Sequence, residues 1–182
     1  MFANDTQPIK RTVVVALVLL CAIVSVGFAA TIFWDYDRVV YVQLKELTDM
    51  TIQQGSSETE GQIRFCISEI DKSTQHVVIQ GWAFKNGEYM ALVNNQILLR
   101  DTTNDTYMKI STEMVRRPDL DTVFGGEFSY HNGGFYSMVS KRHLKVGRTY
   151  EVCLLYKTNV KGDGVNNGVL VLSGFSFENS EV

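Results

Sequence analysis

The sequence contains only two prolines, three cysteines and three histidines in 182 residues, and its 17 basic and 20 acidic side chains nearly cancel to a formal charge of −3. Each shortage excludes a class of function. Lys and Arg are scattered, so there is no basic stripe to follow a phosphate backbone and no nucleic-acid partner is expected. His76, His131 and His143 stand far apart and no Cys-x-x-Cys occurs, so the spacing of a zinc site is missing. Asp101, Asn104 and Asp105, or Asp163 with Asn166, read as solvated turn residues, and neither a metal nor another cofactor is expected. Both Gly-x-Ser-x-Gly and Ser-x-x-Lys are absent, and Asp119, Asp121 and Glu127 read as ordinary loop acids. A non-enzymatic protein is therefore expected, with a small enzyme the least favoured reading.

What is present begins with one long apolar run. Residues 12–34, TVVVALVLLCAIVSVGFAATIFW, carry no charge and are long enough to cross a hydrocarbon core of about 30 Å as a helix. Lys10 and Arg11 precede the run, Asp35 and Asp37 follow it, and Trp34 and Tyr36 stand where an aromatic belt lies. The basic flank places residues 1–11 in the cytoplasm and everything after the span outside, as in a single-pass signal-anchor of the plasma membrane. A cleaved signal peptide is the competing reading, because Gly27, Phe28 and Ala29 offer a small-residue cleavage spacing. The apolar run is too long for that and continues through Ile32 and Phe33. Ser25 and Ala29 form a small-xxx-small pair that would let a second membrane helix approach, although an ordinary lipid-facing anchor explains them as well.

Residues 37–54 place Val40, Leu44, Leu47 and Thr51 at helical spacing, which predicts a juxtamembrane helix. The Gly- and Ser-rich segment 55–61 reads as a linker, so 35–61 is helix plus linker and 62–182 the folded domain. That domain shows short alternating or β-branched runs between turn signals, the pattern of an antiparallel sandwich. Strands are expected around 63–67, 76–84, 107–114, 135–139, 149–157 and 169–177, with Tyr150, Val152, Leu154 and Tyr156 on one core face. Asn86-Gly87 supplies a turn, Asn94-Asn95 is read as a hairpin between 89–93 and 97–99, and Pro118 interrupts the ladder. Ile79, Trp82 and Phe84 are all expected in the core.

Four landmarks recur in order: Gly81-Trp82-Ala83-Phe84, Arg117-Pro118-Asp119-Leu120, Gly134-Phe135, and Leu144 with Gly147 and Tyr150. Together they resemble an extracytoplasmic domain of bacterial membrane proteins and glycosyltransferases linked to cell-surface polysaccharide. The resemblance covers most of 62–177 and implies an immunoglobulin-like β-sandwich serving as an accessory or recognition module, with no catalytic residue to carry over. The Gly-rich 125–134 segment and the additional Arg116 depart from the pattern.

Cys66 and Cys153 both lie opposite the apolar face of their strands, and a disulfide between them is one expectation for an oxidising exterior. Arg117 and Asp119 read most simply as an ion pair pinning a loop. With Phe124, Phe128 and Tyr130 they alternatively form a shallow aromatic and polar surface suited to a cell-surface glycan or a protein. Asn104-Asp105-Thr106 matches the glycosylation acceptor pattern. The reading that follows is a membrane-anchored recognition or accessory subunit of a cell-envelope complex, touching membrane lipid and a membrane-protein partner or a second copy of itself. Its alternative is an assembly protein that binds through its helix and uses the sandwich as a spacer.

Overall fold

The computed structural model describes residues 11–36, 39–42, 47, 50–90, 93–158 and 168–180. Lys10, the side chains of Trp34 and Tyr36, Leu44, and residues 159–167 with Asp163 and Asn166 lie outside the described residues. The chain divides into two compact units, Met1–Asp37 and Arg38–Val182.

In the first unit, helix α1 spans Arg11–Tyr36, 26 residues, or about 39 Å at 1.5 Å per residue. Its stretch Thr12–Ile32 is long and apolar enough to cross a membrane, and none of it is buried against protein. Val13, Leu17, Ile23 and Phe28 stand exposed around it, as lipid-facing side chains would.

Among the described residues the second unit has ten strands: β1 Val40–Val42, β2 Thr51–Gln54, β3 Ile63–Asp71, β4 His76–Lys85, β5 Val93–Asp101, β6 Thr106–Lys109, β7 Ser111–Val115, β8 Gly134–Ser140, β9 Thr149–Thr158 and β10 Val169–Glu178. They form a six-stranded sheet, β1-β6-β5-β9-β10-β2, and a four-stranded sheet, β3-β4-β8-β7. All pairings are antiparallel except that of β2 with β10. Lettering β3 to β10 in chain order as A, B, C, C′, D, E, F and G gives A-B-E-D facing C′-C-F-G, the immunoglobulin arrangement. The inner faces meet through Ile63, Phe65, Val77, Ile79, Ile97, Leu99, Phe135, Val152 and Leu154. Tyr150, Val152, Leu154 and Tyr156 all join this core, as alternation requires. At the start of β9 the Lys145 amide donates to Tyr150 Oη at 2.8 Å. That bond is the tyrosine corner of immunoglobulin-like domains.

Two expectations are corrected in the segment before residue 62. The described parts of 37–54 include two strands where a helix was expected, although Leu47 itself is helical. Val40–Val42 pairs with β6 and Thr51–Gln54 with β10, one at each edge of the six-stranded sheet. Edge strands offer unpaired amides and carbonyls, and the β-branched residues at Val39, Val40, Thr51 and Ile52 accept that partner over helical spacing. Between them Leu47 is buried with Leu98, Tyr107, Cys153, Leu155 and Leu170 on the outer face of the sheet. Residues 55–61 are bonded rather than free. The Gln53 side chain holds both the amide and the carbonyl of Ile63, Ser56 Oγ accepts the Phe65 amide, and the Gly61 amide donates to Asn86. The compact unit thus begins at Arg38.

The Asn94-Asn95 hairpin is also corrected, because β5 runs straight through both residues beside β9. Asn95 is buried and its Nδ2 donates to the Ala83 carbonyl. Pro118 does end the ladder: β7 stops at Val115, and Pro118 caps a short helix α2, Asp119–Phe124.

Candidate functional site

Alternation along β4 decides which side chains face the core. Val77, Ile79 and Ala83 point inward, so Trp82 and Phe84 fall on the outer face of the four-stranded sheet. Ile79 and Phe84 are both buried, as expected, but in different clusters, and Trp82 is only half-buried at the edge of the second. Trp82 and Phe84 are covered by residues 117–133, which fold back as a cap with its own small core of Phe84, Met90, Leu120 and Tyr130, edged by Trp82, Phe124 and Phe128. Phe84 and Tyr130 stack at 4.0 Å between centroids, and Phe124 contacts Trp82 at 5.1 Å and Phe84 at 5.4 Å. The Arg64 guanidinium lies 4.4 Å from the Phe124 centroid, a cation–π contact.

This packing assigns each candidate residue a place. Tyr130 is interior, and its Oη accepts the Gly87 amide at 3.1 Å. Phe124 and Phe128 are half-buried, the latter packed edge-on against the exposed Tyr89 at 5.2 Å. Arg117 and Asp119 form a bidentate pair, Nε to Oδ1 at 2.9 Å and Nη2 to Oδ2 at 2.7 Å. The pair raises the guanidinium pKa and lowers that of the carboxyl. The Arg117 amide also donates to the His131 carbonyl, tying the two ends of the cap together. The five residues are neighbours, but the three aromatics are largely spent on holding the cap.

Asp121, Ser129 and His131 fasten the same segment. The Asp121 carboxylate accepts the Tyr130 amide and the Ser129 hydroxyl, the latter at 2.9 Å, and lies 3.0 Å from His131 Nδ1. Desolvation works to raise its pKa, but the Tyr130 amide, the Ser129 hydroxyl and His131 outweigh it and leave the group lowered. Ser129 Oγ meets the same Nδ1 of His131 that faces Asp121. A nucleophilic relay needs the hydroxyl on one ring nitrogen and the carboxylate on the other, so this trio is a fastening.

Beside the cap a trough of about 340 Å³ crosses the outer face of the sheet, lined by Ser68, Glu69, Gln80, Gly81, Val115, Arg117 and Phe135. Two glycines lie near it, Gly134 facing outward and Gly81 toward the central core. A Cβ at Gly134 would meet the Val115 carbonyl and Arg117 Cγ, and one at Gly81 would meet Phe135 and the Cys66 carbonyl. The sequence alone does not single out Ser68, Glu69 or Gln80. Gln80 stands on the polar alternation of β4, but Ser68 and Glu69 are brought in by a bulge between Ile67 and Glu69 that alternation does not announce.

The disulfide expectation is corrected: Cys66 and Cys153 are free thiols. Both do face away from the central core, but from different sheets, so they lie on opposite outer faces of the sandwich. Cys153 is buried, which pushes its thiol up to about 12. Among the described residues no three His, Cys, Asp or Glu side chains gather as metal ligands. No family model, curated protein or solved structure matches the chain.

Proposed function

We propose that this protein is a non-catalytic recognition or accessory subunit of a cell-envelope complex, held by α1 in the plasma membrane with the sandwich outside. The basic flank of the span supports that orientation, since Lys and Arg stay on the cytoplasmic side. One observation favours recognition over a spacer: the outer face of the four-stranded sheet carries a separately cored cap with an open polar trough beside it. A spacer needs neither. The resemblance stated above adds the link to surface polysaccharide.

The test is purification of the full chain from mildly solubilised membranes. A stoichiometric partner should be lost on Tyr89→Ala with Gln80→Ala and kept on Ser25→Leu with Ala29→Leu. Loss only with the helix substitutions would favour the assembly reading, and the absence of any partner or ligand would overturn recognition. Protease added to intact cells should cut the sandwich and leave residues 1–11 protected; the reverse would overturn the orientation.

A further inference from the structure

We propose that the trough across the four-stranded sheet is a subsite for one uncharged sugar ring, held by Ser68, Glu69, Gln80 and Arg117. The inference deepens the recognition reading and rests on it.

Arg117, Gln80 and Glu69 each have a hydrogen-bond partner before any ligand arrives. Arg117 has its Nε and Nη2 engaged by Asp119, while Nη1 takes part in neither bond. A guanidinium clamped on one edge presents the other with little ordering left to lose on binding. Gln80 Nε2 donates to Glu69 Oε2 at 3.2 Å, which sets the carboxylate and the amide side by side. The bulge brings exposed Ser68 to the same end.

The trough therefore offers both donors and acceptors: a guanidinium, a carboxamide, a carboxylate and a hydroxyl. A sugar hydroxyl both donates and accepts, and so finds a match at each position. Charge selects among sugars. Asp119 already balances Arg117, which leaves Glu69 as the surplus charge of the trough. A uronate, sulfate or phosphate would meet repulsion there, whereas a neutral ring would not. The volume is at the small end of ligand pockets, matching a single ring rather than a long chain.

The experiment offers the full-length chain, in detergent, an array of neutral and uronate- or sulfate-bearing oligosaccharides, with solution titration of whatever binds. Neutral glycans should bind and acidic ones should not. Gln80→Ala and Ser68→Ala should each weaken binding about two- to tenfold, and Glu69→Lys should admit acidic glycans. These side chains are solvent-facing, so unchanged thermal unfolding serves as the folding control. Stronger binding of acidic glycans, or indifference to both Gln80→Ala and Glu69→Lys, would overturn the proposal. If no glycan binds while a protein partner still depends on Tyr89 and Gln80, the sugar subsite falls and recognition stands. If neither glycan nor partner is found, both fall.

Discussion

Phe135 lies directly over Gly81: a Cβ built on that glycine would come within 2.7 Å of the ring's Cζ and 2.2 Å of the Cys66 carbonyl oxygen. Strands β4 and β8 are joined at this point, where Gly81 pairs with Phe135. The neighbouring pair, Trp82 with Gly134, carries the complementary relation on the outer face, where the Arg117 stem passes over the glycine. Three of the four sequence landmarks thus meet at one spot, for reasons of packing.

Gly81→Ala should consequently destabilise the sandwich by about 1–3 kcal/mol, the usual cost of overpacking. Gly126→Ala, where a Cβ meets nothing within 4 Å, serves as the control. Thermal unfolding of the two variants checks this; equal midpoints would contradict the close approach.

Thiol labelling separates the two outer cysteines. Cys153 should resist alkylation at pH 8 in the folded protein, because burial keeps it a thiol, while half-buried Cys66 should label. Leu47→Ala removes part of the cover over Cys153 and should cost about 2–5 kcal/mol while speeding Cys153 labelling. Intact mass with and without reductant should show no disulfide between them.

Acid should loosen the cap. The Asp121 carboxyl titrates lower in the folded protein than in the unfolded chain. Its contribution is therefore complete above the ordinary carboxylate pKa of about 3.9 and is lost as pH falls through the folded value. Asp121→Asn should remove that part of the acid dependence. Near-ultraviolet circular dichroism of the stacked aromatics reads it; identical acid profiles for variant and parent would refute the role given to Asp121.

Tyr150→Phe keeps the ring in the core and leaves the Lys145 amide without its acceptor. A loss of about 1 kcal/mol is expected, the net worth of one hydrogen bond. Denaturant titration measures it, with an unchanged slope if the fold is intact.

Much of this architecture is local and was legible in order along the chain. An uncharged run of this length specifies a membrane-length helix by itself, since the backbone bonds of a helix close within the segment. Alternation specified the core face of β9, and Pro118 marked the segment where the chain leaves the sheet after β7. Long-range decisions were not legible. Residues 37–54 have apolar spacing that suits a helix, yet sheet edges far along the chain, β6 and β10, claim Val40–Val42 and Thr51–Gln54 as strands. Trp82 and Phe84 alternate onto an outer face that is apolar only because residues 117–133 return to cover it. Cys66 and Cys153 each present the right local face, but the faces belong to different sheets. By itself the sequence determined the elements whose hydrogen bonds and periodicity are satisfied nearby. The tertiary structure alone decided which edge, face or cavity each element completes, because that depends on partners supplied by distant chain.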